Sequence, residues 1–137
     1  MLAAVVLLTC APLFEDVTVP AGLEGVKGDR FCFADIDRDG DPDLIVADRR
    51  LFLNEGGRFV ESKGALKGAR GSSATCIDVD GDGRLDVITL GGDLFLQQKD
   101  GSFRHADLEW PARQASFGAA DIDGDGLPEL VTTGGER

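Results

Sequence analysis

The sequence has no tyrosine, one histidine, one tryptophan and three cysteines in 137 residues. It is also short of positive charge: 14 Lys and Arg stand against 25 Asp and Glu, a formal net charge of −11. That shortage argues against a nucleic-acid partner, which needs a basic face, and against docking on an anionic membrane surface. No run of 18 apolar residues occurs, so no transmembrane helix is expected. The single histidine, His105, has no identifiable partner in the sequence, and no G-x-S-x-G or other nucleophile motif appears. The chain is therefore not expected to be an enzyme. The glycines of 25–28 and 68–71 lack the strand–GxxxxGK–helix context of a phosphate loop. The modest basic cluster Arg49, Arg50, Lys63, Lys67 and Arg70 is read as solvating turns and connections.

What is present points elsewhere. A hydrophobic fraction of 42% is too high for an acidic disordered tail, so a packed core is expected. Nineteen Gly and eight Phe suggest tight turns between short apolar strands rather than long helices.

The chain repeats itself. Asp35-IDRDGDPDLIV, Asp78-VDGDGRLDVIT and Asp121-IDGDGLPELVT align, with their first aspartates 43 residues apart twice over. Leu51-Phe52-Leu53-Asn54 matches Leu94-Phe95-Leu96-Gln97 at the same spacing, and Arg58-Phe59-Val60 matches Ser102-Phe103-Arg104 with one residue inserted. Phe14-Glu15-Asp16-Val17-Thr18 reads as the terminal strand of a preceding unit. One repeat parses as a strand at Phe31 to Ala34, an acidic loop, and a continuously apolar strand at Leu44 to Ala47 buried on both faces. A turn at Asp48 to Arg50, a strand at Leu51 to Asn54, a turn at 55–57 and a strand at Arg58 to Ser62 complete it. Four antiparallel strands in about 43 residues is the size of a β-propeller blade. Residues 14–137 hold just under three such repeats, fewer than a closed propeller needs. The fold expected is all-β: blades belonging to a larger propeller, completed by further blades of a longer parent chain or by self-assembly.

Each acidic loop fits D-x-D-x-D-G-x-x-[DE]. The side-chain positions are Asp35, Asp37, Asp39 and Asp43; Asp78, Asp80, Asp82 and Asp86; and Asp121, Asp123, Asp125 and Glu129. Position 7, which is Asp41, Arg84 or Leu127, would offer a backbone carbonyl. Carboxylates on alternate residues, followed by a glycine that permits a sharp turn, can wrap one hard cation. Six to eight oxygens at about 2.3–2.6 Å suit Ca²⁺, whereas Mg²⁺ takes fewer protein ligands. The absence of thiol and imidazole from the loops argues against zinc and copper. An EF-hand would need Glu at position 12, where Val46, Thr89 and Thr132 stand. Two carboxylates about 4 Å apart repel by about 4 kcal/mol at an effective dielectric near 20, so such a loop needs protons or a cation to close tightly. Up to three structural Ca²⁺, one per repeat, are expected. Thirteen of the 25 acids fall in these loops, and three divalent ions would cancel more than half of the net charge.

Leu2 to Leu8 is an unbroken apolar run that resembles the hydrophobic region of a signal peptide, and Leu7-Leu8-Thr9-Cys10 resembles a bacterial lipobox. Residues 1–11 are expected to be a leader, which places the protein at the cell surface, in the periplasm or outside the cell. Cys32 and Cys76 have no zinc-type spacing. They stand three and two residues before their loops, so strand alternation puts them on opposite faces of their blades. Buried free thiols, with no disulfide between them, are expected.

Strand–DxDGDGxxDL–strand units at this period resemble the FG-GAP/VCBS repeats of integrin-α-like seven-bladed propellers. Phe117-Gly118-Ala119-Ala120 is similar to the FG-GAP signature. Phe14-Glu15-Asp16-Val17-Thr18 with Ala21-Gly22-Leu23 is similar to the opening phrase of the cartilage-acidic-protein-like branch. The resemblance implies Ca²⁺ at the loop positions named above, with Glu129 departing from the usual Asp. It also implies export and roles in adhesion or ligand binding. It does not imply one activity. The function expected is an extracytoplasmic module for protein interaction or cell-surface adhesion. The alternative is a lectin-like or polysaccharide-active propeller, in which Trp110, followed by Pro111, would stack on a sugar ring.

Overall fold

The computed structural model describes residues 14–28, 30–46, 49–109 and 116–133. The expected leader at 1–11 and Trp110 lie outside the described residues. The described chain is all-β, with ten strands and no helix. β1 (Phe31–Ala34), β2 (Asp43–Val46), β3 (Arg50–Asn54) and β4 (Phe59–Ser62) form one four-stranded sheet in sequence order. β5 (Ala74–Ile77), β6 (Asp86–Thr89), β7 (Asp93–Gln97) and β8 (Phe103–Asp107) form a second. β9 (Ser116–Ala120) pairs with β10 (Glu129–Thr133). Every pairing is antiparallel. The expected boundaries hold to within a residue or two: β2 begins at Asp43, β3 at Arg50 and β4 at Phe59.

The registers repeat with the sequence. Ala34 faces Asp43, Ile77 faces Asp86 and Ala120 faces Glu129. Each acidic loop is thus held between the residue before its first aspartate and its ninth-position acid. β2 and β6 are buried throughout, as an apolar strand in the middle of a covered sheet should be.

Alternation along the strands sends side chains to two layers. Ile45 and Leu51 of the first sheet meet Val87 and Phe95 of the second, with Ile36, Leu66 and Ala69 from the connections. This is the main core, and it lies between the blades. On the other face of the first sheet, Leu44, Val46 and Phe52 pack with Phe59 and with Leu23 and Val26 of the N-terminal segment. Val87, Ile88 and Phe95 are essentially inaccessible, and burying such a side chain contributes about 1.5–3 kcal/mol.

Phe14 to Thr18 is not a strand. Residues 14–17 have no regular structure and Phe14 is exposed. Asp16 Oδ1 accepts the Thr18 N–H at 2.9 Å, and the Ala21 and Leu23 N–H groups donate back to the Val17 and Thr18 carbonyls. This local turn takes up backbone groups that a strand would need for a ladder. It sets the Ala21 carbonyl to accept the Phe59 N–H at the start of β4.

The cysteines are free thiols as expected, but half-buried and not kept apart. They do point to opposite faces of their own sheets, and that is why they meet. Stacked blades touch through opposite faces, so Cys32 of β1 and Cys76 of β5 both enter the layer between them. Their Sγ atoms are 3.8 Å apart, as two free thiols.

Candidate metal centres

The three acidic loops share one hydrogen-bond scheme. The position 1 acid accepts the N–H of the position 6 glycine: Asp35 from Gly40 at 3.2 Å, Asp78 from Gly83 at 2.7 Å and Asp121 from Gly126 at 3.0 Å. Those glycines have φ of 95°, 81° and 91°, a region closed to most L-residues. The position 3 acid takes the N–H of position 5: Asp37 from Asp39, Asp80 from Asp82, Asp123 from Asp125. The position 5 acid takes the N–H of position 7: Asp39 from Asp41, Asp82 from Arg84, Asp125 from Leu127. These bonds curl the backbone and leave free carboxylate lone pairs.

The result is a cluster of acids in each loop. Asp35, Asp37 and Asp39 gather in the first, Asp78, Asp80 and Asp86 in the second, and Asp121, Asp123 and Glu129 in the third. Within each, one oxygen per residue lies within 4.8 Å of the others. Hard oxygens in that arrangement can hold a hard divalent cation.

The first loop differs in a telling way. At position 4 the second and third loops have Gly81 and Gly124, whose N–H groups donate to Oδ1 of Asp78 and Asp121 at 2.8 and 2.7 Å. The first loop has Arg38 there, held at φ 65°, and no corresponding bond forms. Asp35 Oδ1 is buried without a hydrogen-bond partner. A buried carboxylate oxygen left unpaired costs on the order of 1–3 kcal/mol, and a cation among Asp35, Asp37 and Asp39 would satisfy it. The Arg38 guanidinium instead reaches across to the Gly83 carbonyl in the second loop.

The ninth-position acids brace the loops. Asp43 and Asp86 are each 1% exposed. Asp43 accepts the N–H of Ile36 at 2.7 Å and of Asn54 at 2.8 Å. Asp86 accepts those of Val79 at 3.0 Å and Gln97 at 2.8 Å. Each therefore ties position 2 of its loop to the end of the third strand of its blade. Glu129 accepts the Ile122 N–H at 2.7 Å in the same way. Asn54 and Gln97 complete the support: Asn54 Nδ2 donates to the Pro42 carbonyl, while the longer Gln97 reaches the Ile36 carbonyl in the neighbouring blade. Arg84 packs on this support, its Nε donating to the Gln97 carbonyl and its guanidinium pairing with Asp82. The repeated Asn54/Gln97 position was visible in the sequence, but its role was not, because the partners are carbonyls in the loops.

Crowding shows in the acidities. Burial, and then the neighbouring Asp43, Asp39 and Asp35, push the Asp37 carboxyl above its ordinary value. Burial, with Asp80 and Asp78, does the same to Asp86. Both sites resist negative charge when no cation is bound.

Residues 35–89 match the FG-GAP-like repeat. The match runs from Asp35, at the start of the first loop, through the second loop to Thr89 at the end of β6. The third loop lies outside the matched span but keeps the hydrogen bonds of the FG-GAP-like pair. No curated protein and no solved structure matches the chain.

A fourth group, Asp93, His105 and Asp107, lies on β7 and β8 of the second blade, beyond the matched span, and already holds the Arg70 guanidinium. Arg70 forks onto Asp93 Oδ1 through Nε at 2.9 Å and Nη2 at 2.7 Å, and also reaches Asp107 at 2.6 Å. His105 Nε2 lies 3.0 Å from the same Asp93 oxygen, and its ring packs 4.8 Å from that of Phe95. The expectation that Arg50 and Arg70 merely solvate turns is thus corrected: Arg50 pairs with Glu61 at 2.8 Å and Arg70 with Asp93. Asp93 is fully buried. Burial raises its pKa, but the bonds from Arg70, His105 and Thr89 outweigh this and hold it at about 2.

Proposed function

We propose that this chain is a calcium-binding β-propeller module, exported from the cytoplasm, that acts in protein interaction or surface adhesion and performs no catalysis itself. One structural Ca²⁺ per acidic loop fixes the bend between the first two strands of each blade. The observation that carries this reading is the buried, unpartnered Oδ1 of Asp35 at the edge of three clustered carboxylates. The all-oxygen donor set favours Ca²⁺ over softer ions. Thermal melting with calcium and with chelator tests it. At a hundredfold excess over Kd, each filled site adds about 2.7 kcal/mol, enough to raise Tm by several degrees. A midpoint that ignores both calcium and chelator sinks the proposal.

The blades leave apolar faces open. Phe31 and Phe33 on the outer side of the first blade are 69% and 54% exposed, and Val131 of β10 is 52% exposed. In a propeller such faces are covered by neighbouring blades, whether from a longer chain or another copy. Binding partners are then met by the connecting loops, as is usual when rigid strands present variable loops.

A further inference from the structure

We infer that Cys32 and Cys76 are an oxidisable pair that forms a disulfide linking the first two blades. Three observations carry this. The Sγ atoms lie 3.8 Å apart across the layer between β1 and β5. Both cysteines are only partly buried, so a small oxidant can reach them. Both border the core shared by the two sheets, beside Ile45 and Val87, where each cysteine's register partner sits. Closing the gap to a bond of about 2.05 Å takes a shift of under 2 Å shared by two side chains on neighbouring strands.

The chemistry balances with a small-molecule disulfide as oxidant. The thiolate of one cysteine attacks a sulfur of the oxidant and expels one thiol, leaving a mixed disulfide. The second cysteine loses its proton and attacks the first, expelling the other thiol. Two protein S–H bonds and the oxidant's S–S bond are broken. One protein S–S bond and two small-molecule S–H bonds are formed. Such a bond persists in an oxidising compartment and is reduced in the cytosol. It would staple blades whose contact is otherwise side-chain packing and a few bridging hydrogen bonds.

The test uses the full chain incubated with oxidised glutathione, alkylated and digested with trypsin. Cleavage after Arg30, Arg38, Arg70 and Arg84 releases 31–38 and 71–84, one cysteine in each. The expected result is a linked peptide two hydrogens lighter than the sum of the free pair. Oxidised protein should also melt at least roughly 5 °C above reduced protein, since the bond joins residues 44 apart. Cys32→Ser and Cys76→Ser should each abolish both effects. The conservative pair Cys32→Ala with Cys76→Ala, if folded, should melt like the reduced wild type under both conditions. Recovery of both peptides fully alkylated after oxidation, or a cross-link to Cys10 in their place, overturns the inference.

Discussion

The second loop allows ligand and scaffold roles to be separated by two substitutions. Asp86 is buried, and each of its oxygens accepts a backbone N–H. In Asp86→Asn one oxygen becomes an NH₂, so in either orientation Val79 or Gln97 presents its N–H to another donor. A lost hydrogen bond to a charged group is worth about 1.5–3 kcal/mol, and a stranded buried donor costs about as much again. Removing the charge relieves repulsion from Asp80 and Asp78 and offsets part of this. The net loss should be about 2 kcal/mol even with chelator, or roughly 8 °C in Tm for a chain of this size. Asp80 is exposed and makes one long hydrogen bond, to the Asp82 N–H at 3.3 Å. Asp80→Asn should therefore leave the chelated Tm unchanged or slightly raised, while cancelling one site's share of the rise that calcium gives. Differential scanning calorimetry of wild type and both variants, with calcium and with chelator, reads all the terms. If the two variants lose equal stability in chelator, Asp86 is only a ligand and its assignment as a clamp is wrong.

Two further predictions concern the second blade. Asp93 is held at about 2 against an ordinary value of 3.8. A lowered carboxylate pKa gives stability that is complete above about pH 4 and is lost as pH falls toward 2, here roughly 2 kcal/mol. Urea denaturation from pH 5 to pH 2 should show this loss in the wild type, and a much smaller one in Asp93→Asn. Gly71→Ala should prevent folding: Gly71 sits at φ +87°, and an added Cβ would come 2.4 Å from the Gly91 backbone nitrogen, with no flexible atom to yield. A far-ultraviolet circular dichroism spectrum unchanged from the wild type would refute that.

Much of the architecture was legible because its causes are local. A 43-residue period, apolar runs of four residues and glycine-bounded loops specify four-stranded meanders, and the observed registers follow from loop length. The loop carboxylates were legible for the same reason. Alternate aspartates and a glycine at position 6 need only short-range backbone geometry to converge, and Asp35, Asp37 and Asp39 do so within five residues. The strand expected at Phe14 to Thr18 failed because resemblance to a terminal strand supplies no neighbour for it to pair with. Asp16 and the turn at 18–22 satisfied the backbone locally instead.

By itself, then, the sequence determined the repeat, the strands, the acidic loops and the burden of negative charge they carry. The tertiary structure decided which groups meet across blades. It set Cys32 opposite Cys76, Gln97 on the Ile36 carbonyl and Arg38 on the Gly83 carbonyl, and it brought Arg70 onto Asp93 within the second blade. It also left one oxygen of Asp35 buried and unpaired, where the corresponding oxygens of Asp78 and Asp121 accept a glycine N–H. Strand alternation tells which face of a blade a side chain occupies. Only stacking tells what that face meets, since it depends on the rotation between blades and on connections whose course no short-range pattern encodes.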